Sequence, residues 1–393
     1  TNDSGAGSLR QAIIDANANP GFDTIIFSIN SGVQTIRPVT ALPAFTDPIL
    51  IDGSTQPGFA GTPLIVIDGS SIADSGDVFG LRLSTGGSTI RNLAVNNFQN
   101  PAPQAIRIDT GDGNKVEGCY IGIDTDGITR RRNYVGIVIA SSGNLLGGNS
   151  PATRNVISGS SFDNISIVGA GSNNQIKGNY IGTNAAGTSS LNGGGYGIQI
   201  FSTGSDNSVG GIEPGAGNLI SGNGQSGISA GARNTVIQGN LIGTDVTGRT
   251  AVPNTSSGVA IAGSDILVGG TAAAARNLIS GNGGGISVTP GNTANRSIIQ
   301  GNYIGVNITG DAILSNSFAG ISTSGGVIVG GTEPGAGNVI SGNLGGGLRL
   351  GSFDNTGSLI QGNLIGTDAT GTVAFGNGNG LGFDIRSSNN VIG

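Results

Sequence analysis

The six residues "NLISGN" at Asn218–Asn223 decide how this chain folds, because the chain repeats them. The same letters return at Asn277–Asn282, and "NVISGN" follows at Asn338–Asn343. A related copy begins at Asn155 and a more divergent one at Asn92, so neighbouring copies begin 63, 63, 59 and 61 residues apart. Self-similarity at a fixed period predicts a repeat architecture rather than two or three independent globular domains.

Two further motifs recur in a fixed order inside each block of about 61 residues. One is Gly-Asn-Tyr/Leu-Ile-Gly, in which Cys119 replaces the asparagine of the earliest copy. The other is a Gly-Gly pair that begins at Gly147, Gly210, Gly269 and Gly330. The asparagines of the first of these motifs are Asn179, Asn240, Asn302 and Asn363. Three strand–turn cycles of about 20 residues in each block predict three rungs, a rung being one turn of a coil.

The composition indicates strands rather than helices. The chain has 76 glycines, 36% hydrophobic residues and only 4% aromatic residues. Its apolar bursts, such as "GIQI" and "GVAI", alternate with period two, and Gly, Asn, Asp and Ser separate them. A single rung of this kind cannot bury its inner face, whereas stacked rungs can. We therefore predict an all-β parallel β-helix, with the repeated asparagines stacked as an internal ladder at the corners.

The amino terminus departs from the repeat. "SLRQAIIDANAN" at Ser8–Asn19 places Leu9 and Ile13 on one helical stripe, and Ser8 has the spacing of an N-cap. This predicts a short capping helix that covers the open end of the coil. We assign residues 1–90 to the cap and irregular opening rungs, and residues 91–393 to five regular blocks in one continuous domain. Because the sequence stops inside a repeat at Gly393, we expect the natural polypeptide to continue.

Charge and residue counts exclude several functions. A net charge of -6 with 17 basic residues argues against nucleic acid as a partner. No apolar run is long enough to span a membrane. The absence of histidine excludes Ser-His-Asp and Cys-His catalysis and every zinc site that contains histidine. The single cysteine, Cys119, is expected to be buried and inert, because no histidine can activate it.

The motifs resemble those of a known group of proteins. "TNDSGAGSLRQAIIDANANPGFDTIIF", "LIDGSTQPG", "GNLIGTDVTG" and "VGGTAAAARNLISGN" are similar to the right-handed parallel β-helix repeats of very large secreted or surface-anchored bacterial proteins. The resemblance covers nearly the whole chain. It implies a right-handed coil and an extracellular, cell-surface or adhesin-like setting. It implies little chemistry, since the same fold also carries polysaccharide lyases, epimerases and hydrolases.

One column of aspartates and asparagines recurs in the loops. Its members are Asp124, Asn184, Asp245, Asn307 and Asp368. Each is expected to bond to the backbone of its own loop as an Asx turn. Calcium at Asp124, Asp245 and Asp368 is the alternative, and no other cofactor is expected.

One loop departs from the others. Later blocks have "TSSLNGG" or "RTAVPNT" where "TRRRNYV" contains Arg130, Arg132 and Tyr134. If the protein is an enzyme, we expect its site at residues 109–134, where these three residues join Asp109, Asp124 and Asp126. Elimination from an acidic polysaccharide needs a base and a cation to neutralise the uronate. The alternative is a charged loop in water, because consecutive arginines cannot all face one groove.

The sequence thus leaves two functions open. The nearly equivalent blocks favour a structural or adhesive β-solenoid, a stalk of a secreted protein that contacts polysaccharide or protein at the cell surface. The alternative is a polysaccharide lyase, epimerase or glycoside hydrolase with its site near residues 109–134.

Overall fold

The chain winds into a coil of three parallel sheets. The computed structural model describes residues 2–73, 78–99, 103–289, 296–324, 326–351 and 357–393. In these residues one α-helix, α1 (Leu9–Ala18), precedes sheets A, B and C, which contain 13, 12 and 11 strands. The chain visits the three sheets in turn, and every strand pairs with the strand of the next rung. The structure is therefore the predicted right-handed parallel β-helix with an N-terminal capping helix.

The strands are short, from two to five residues. Sheet A consists of Asp23–Ile26, Ile49–Asp52, Thr89–Arg91, Lys115–Glu117, Leu145–Gly147, Gln175–Lys177, Ser208–Gly210, Val236–Gln238, Leu267–Gly269, Ile298–Gln300, Ile328–Gly330, Leu359–Gln361 and Val391–Ile392. Sheet B consists of Gln34–Ile36, Ile65–Asp68, Leu93–Asn96, Tyr120–Ile121, Val156–Ile157, Tyr180–Ile181, Leu219–Ile220, Leu241–Ile242, Leu278–Ile279, Tyr303–Ile304, Val339–Ile340 and Leu364–Ile365.

Sheet C consists of Phe79–Leu83, Gln104–Ile108, Val135–Ile139, Ile165–Gly169, Ile198–Ser202, Ile228–Ala230, Ser257–Ile261, Gly284–Val288, Ile321–Thr323, Leu348–Leu350 and Phe383–Ile385. Short 3-10 helices lie between strands at Gly53–Thr55, Gly69–Ser71, Pro151–Thr153, Ala273–Ala275 and Gly378–Gly380.

The predicted number of rungs in a block was wrong. In sheet A, Gln175 pairs with Ser208, and Ser208 pairs with Val236. Two rungs, of 33 and 28 residues, therefore complete one block of 61 residues, where the sequence suggested three rungs. The strands of sheet B are the reason. Many of them have only two residues, such as Tyr180–Ile181, and a pair of residues cannot be recognised as a separate apolar burst.

The core is a set of aliphatic columns. In sheet A, Ile176 pairs with Val209, and Val209 pairs with Ile237, so that residues of the same shape lie above one another. These three side chains have no exposed surface. Sheets B and C contribute similar columns, to which the buried residues Ile181 and Ile198 belong. Because the neighbouring rungs are about 4.8 Å apart, every rung closes the apolar interior of the one before it.

An unbroken asparagine ladder joins eight rungs, as the sequence predicts. It contains Asn155, Asn179, Asn218, Asn240, Asn277, Asn302, Asn338 and Asn363. The Nδ2 of each asparagine donates to the Oδ1 of the next at 2.9 to 3.1 Å. The two asparagine motifs of the sequence are thus the same corner in alternate rungs. Cys119 occupies the preceding position, where its backbone N–H donates to Asn155. Burial raises the pKa of its thiol to about 12.

The Gly-Gly motif marks a close approach of two rungs. The first glycine of the pair has a φ of +82° at Gly210 and +85° at Gly269, a region that favours glycine. A Cβ atom on Gly210 would also lie 1.9 Å from the carbonyl oxygen of Gln238 in the next rung. Any other residue would therefore push the rungs apart at this corner.

The amino-terminal helix covers the first rung. The hydroxyl of Ser8 accepts a hydrogen bond from the N–H of Gln11 at 3.2 Å, as the capping pattern predicts. Leu9 and Ile13 are buried in the core of the coil. The guanidinium of Arg10 donates to the carbonyl of Ala41 at 2.7 Å, which fastens the helix to the opening loop.

The sheets continue without a break from the opening rungs into the regular blocks. The strand Thr89–Arg91, which crosses the boundary placed at residue 90, pairs with both Ile49–Asp52 and Lys115–Glu117. Among the described residues, no helix has the length and hydrophobicity that a membrane crossing requires.

We expect Asn240→Ala to lower the free energy of unfolding by about 2 to 5 kcal/mol. The substitution leaves the backbone N–H and the Nδ2 of Asn218 without their acceptor in a buried corner. Urea denaturation monitored by circular dichroism measures the change. The control is Asn149→Ala, at an exposed asparagine outside the ladder. Equal stabilities of the two variants would contradict this role of the ladder.

Candidate functional site

The six predicted site residues lie at two separate places. Asp109 follows the sheet C strand Gln104–Ile108, whereas Tyr134 precedes the adjacent strand Val135–Ile139. These strands pair in register, so the two residues are at opposite ends of sheet C. Asp109 therefore does not share a site with Tyr134.

Asp109 belongs to a cluster of compensated charges. Its carboxylate accepts hydrogen bonds from the guanidinium groups of Arg82 and Arg107. Both arginines also lie over the ring of Phe79, at 5.0 and 5.6 Å from its centre. The carboxylate of Asp109 is thus held between two cations in an ion-pair network, and its role is structural.

Asp124 and Asp126 are engaged by their own hairpin. Asp124 accepts from the guanidinium of Arg131 at 2.8 Å. Asp126 accepts from the backbone N–H groups of Ile128 and Thr129 at 2.9 and 2.8 Å. Burial acts to raise the pKa of Asp126, but hydrogen bonds from Thr129 and Ile128 outweigh it and lower that pKa. Asp124 and Asp126 therefore do not form the pair of free carboxyl groups that a glycosidase needs.

The other aspartates of this column make the same kind of loop. Asp245 accepts from the N–H of Arg249 and of Thr250, each at 3.1 Å. Asp368 accepts from the N–H groups of Thr372 and Val373. With these hydrogen bonds, each aspartate binds the backbone of its own loop, as in an Asx turn. In the part of the chain that the structure describes, no group of three or more acidic, cysteine or histidine residues could hold a metal ion.

The hairpins that carry this column stack on one another. The N–H of Ala185 donates to Gly127 of the preceding hairpin, and the N–H of Val246 donates to Gly187 in the same way. Successive hairpins are two rungs apart, about 9.6 Å. The hairpins lie against sheet B, since Gly127 approaches the ring of Tyr120 and Gly187 approaches that of Tyr180.

Arg130 and Arg132 carry uncompensated positive charge. The guanidinium of Arg130 donates to the carbonyl of Gly159 at 2.8 Å, and Arg132 is exposed. Burial lowers the pKa of Arg130, and the nearby charge of Arg132 lowers it further. No carboxylate of the described residues lies within ion-pair distance of either guanidinium, although the chain as a whole is acidic. An anion placed here would relieve the repulsion between them.

An aromatic stack begins two residues after Arg132 in the chain. The rings of Tyr134 and Phe162 are 5.8 Å apart at an angle of 4°. The N–H of Phe162 donates to the carbonyl of Tyr134 at 2.8 Å, so consecutive rungs hold the two rings in place. Phe162 is 43% exposed, which leaves an aromatic face open to a ligand. We call Arg130, Arg132, Tyr134, Phe162 and Asp163 the arginine–aromatic corner.

Asp163 is the site residue that the sequence analysis missed. Its side chain is fully buried beside the stack. It accepts hydrogen bonds from the hydroxyl of Ser166 at 2.9 Å and from the N–H of Tyr196 at 3.0 Å. Burial raises its pKa, and these two neutral donors only partly oppose that shift. A buried carboxyl group without a cation is a recognised feature of functional sites.

The corner coincides with a break in a second asparagine ladder. This ladder contains Asn223, Asn254, Asn282, Asn316, Asn343 and Asn377. In the two rungs before that of Asn223, the ladder position is occupied by Ser160 and Gly193. The Nδ2 of Asn164 donates to Asn223 at 2.8 Å across this gap, while the hydroxyl of Ser160 is buried without a partner. This ladder is therefore interrupted in the rungs where the corner is built.

The sequence did contain a signal for Asp163. "SSFDN" at residues 160–164 stands where the next block has "NGQSG". This is the same kind of departure from the repeat that revealed "TRRRNYV". Treating both departures as one site required knowledge that residues 130–134 and 159–163 lie in adjacent rungs.

Comparisons with known proteins establish the fold. The structure is similar to the mannuronan C-5 epimerase AlgE6 A-module of Azotobacter vinelandii. The TM-score is 0.59 at 15% identity, and the match covers 100% of this chain and 96% of that chain. The AlgE4 A-module of the same organism gives a TM-score of 0.47 at 15% identity, covering 100% of this chain and 97% of that one.

The Dettilon tailspike protein gives a TM-score of 0.48 at 14% identity over 100% of this chain and 64% of that chain. The chain matches no protein-family model and no curated protein. At these identities the likeness shows the parallel β-helix fold alone.

We expect Asp163→Asn to stabilise the protein increasingly as the pH rises. A carboxyl group whose pKa is raised by folding contributes stability below its ordinary pKa of 3.8, and this is lost as the pH rises through the folded-state pKa. The difference in Tm between variant and wild type should therefore be small in acid and should grow toward neutral pH. The exposed Asp15→Asn is the control. A difference that does not change with pH would show that folding does not raise the pKa of Asp163.

Proposed function

We propose that this chain is an extracellular β-solenoid of structural or adhesive function that binds an acidic polysaccharide at the arginine–aromatic corner. Two observations support this most directly: among the described residues the guanidinium groups of Arg130 and Arg132 have no carboxylate partner, and the Tyr134–Phe162 stack follows them in the chain. The coil is built from nearly equivalent blocks, which favours a structural framework over an enzyme.

The chemistry of the corner fits an acidic sugar. A guanidinium group forms short, charge-assisted hydrogen bonds to a carboxylate, and its planar fork suits two oxygens at once. An exposed aromatic face covers the apolar C–H face of a sugar ring, and the hydroxyl of Tyr134 supplies a hydrogen-bonding group at the edge. Arg132 and Phe162, which are both exposed, would meet the sugar first.

The electrostatics restrict where such a ligand can bind. The chain carries a formal charge of -6, so a polyanion is repelled by most of its surface. Local positive charge at Arg130 and Arg132 therefore has to provide the attraction. The likeness to the epimerase A-module, whose name specifies the polysaccharide mannuronan, is consistent with a glycan on this fold.

We expect Arg132→Gln to weaken binding of an acidic polysaccharide by about tenfold or more, because a hydrogen bond to a charged group contributes about 1.5 to 3 kcal/mol. Tyr134→Ala should weaken it as well by removing half of the stack. Calorimetric titration with polymannuronate and polygalacturonate, beside a neutral glucan, measures the effect. Affinity for the acidic polymers should fall as salt is raised.

The matched control is Arg233→Gln, at an exposed arginine that already pairs with Asp265 at 3.0 Å. Arg132→Lys should recover part of the affinity, since it restores the charge without the planar fork. If Arg132→Gln and Arg233→Gln bind acidic polymers equally well, the corner is not the binding site.

A second candidate function is catalysis on the same polymer, by a lyase, epimerase or glycoside hydrolase. Asp163 is the observation that favours it, because burial raises the pKa of this carboxyl group, and a carboxyl group that keeps its proton can act as a general acid. The side chain has no exposed surface, so a sugar could reach it only after neighbouring side chains move.

Activity assays test this second candidate. New reducing ends, the ultraviolet absorbance of unsaturated uronates, or exchange of the C5 proton with deuterium would reveal hydrolysis, elimination or epimerisation. Loss of such activity in Asp163→Asn with binding unchanged would favour the enzyme over the adhesive framework.

A further inference from the structure

A pocket lies on the outer face of sheet C, several rungs beyond the corner. Its volume is about 340 Å³, and its lining includes Ser257, Ser287, Phe318, Ser322 and Arg349. Ser287 pairs with Ser322, and Ser322 pairs with Arg349, so the three residues lie side by side on neighbouring strands. Phe318 forms one wall of the pocket. Its side chain is 69% exposed, which is a large exposed fraction for a phenylalanine.

The pocket and the corner lie along the same edge of sheet C. Phe162 stands three residues before Ile165, and Phe318 stands three residues before Ile321. The inward residues Ile165 and Ile321 belong to one continuous column of paired strands, five strand spacings apart. The two aromatic side chains are therefore on one line parallel to the coil axis, separated by about 24 Å.

Small residues occupy much of this edge between the two aromatic positions. The equivalent corner positions in the intervening rungs are Gly195, Gln225, Ser256 and Gly283. Ser256 is itself part of the pocket lining. A ligand that follows the edge from Phe162 to Phe318 meets no aromatic or charged side chain at these positions.

The pocket differs from the corner in its charge. Arg349 donates to Asp384 at 3.1 Å, so its positive charge is compensated. The hydroxyl of Ser257 donates to that of Ser287 at 3.0 Å, and both belong to a hydroxyl-rich floor. This surface offers an apolar wall and neutral hydrogen-bonding groups, which suits the face and the hydroxyls of a sugar rather than its carboxylate.

We infer that the pocket at Phe318 is a second contact site for the same polysaccharide chain, which runs along the edge of sheet C from the arginine–aromatic corner. This inference rests on the proposed function, since it extends the ligand from that corner. The corner holds a carboxylate, and the pocket holds the hydroxyls and the ring face of a more distant sugar. The ligand is therefore an extended polymer and not a short oligosaccharide.

Length dependence is the consequence that can be measured. Once a chain is bound at the corner, its contact with the pocket is intramolecular, and such linkage raises overall affinity without any new contact at the first site. A disaccharide cannot bridge the separation of about 24 Å between the two sites. Long chains should accordingly bind more tightly than disaccharides of the same repeating unit, beyond the statistical gain from their number of units.

The decisive variant is Phe318→Ala, tested with a polymer and a disaccharide of the acidic glycan that binds best. We expect it to lower affinity for the polymer by about tenfold or more and to leave affinity for the disaccharide unchanged. The control is Phe22→Ala, at another exposed phenylalanine, 62% exposed, in the loop before sheet A. Circular dichroism melting of both variants verifies that the coil is intact.

The outcomes separate this inference from the proposed function. If Phe318→Ala and Phe22→Ala bind the polymer equally while Tyr134→Ala weakens it, the second contact is wrong and the corner stands. If Tyr134→Ala and Arg132→Gln also bind as wild type, the proposed function fails first. Equal loss of disaccharide and polymer affinity in Phe318→Ala would overturn the inference too, because it would place the disaccharide in the pocket.

Discussion

Stacking of each rung on the next is the constraint on which the whole structure depends, and the asparagine ladder shows it most clearly. A buried amide must satisfy both its donor and its acceptor. In the first ladder each asparagine between Asn155 and Asn363 meets this requirement with the asparagine above and the one below, together with a strand carbonyl such as that of Val209. The corner geometry is consequently the same in the eight rungs of this ladder, and the aliphatic columns are aligned in the same way.

The same constraint explains where the irregular surface is. A break in a ladder leaves buried polar groups to be satisfied locally, and Asn164 does so by reaching Asn223 across the rung that contains Gly193. Residues 159–163 depart from the repeat here, and Phe162 and Asp163 stand where the next block has Gln225 and Ser226. The corner thus combines local departures with a framework that is rigid on both sides.

Much of the fold was accessible from the sequence, and particular residues show why. The ladder asparagines Asn179, Asn240, Asn302 and Asn363 were identified from their spacing, and α1 was identified from the stripe that contains Leu9 and Ile13. The rung count was missed because the two-residue strands of sheet B have no visible period. The site was recognised only in part. Arg130, Arg132 and Tyr134 stood out, whereas Asp109 was grouped with them by nearness in sequence although it lies at the other end of sheet C.

The sequence by itself determined the repeat, the parallel coil, the capping helix and the buried asparagines, because each of these depends on residues that recur at fixed spacing or lie within one short segment. Only the tertiary structure decided which residues meet. Tyr134 meets Phe162, and Asp163 meets Tyr196, because residues about 30 positions apart lie one strand spacing from each other. The alignment of Phe162 with Phe318 has the same origin. The register of the rungs sets it, and register is a property of strand pairing that no single segment contains.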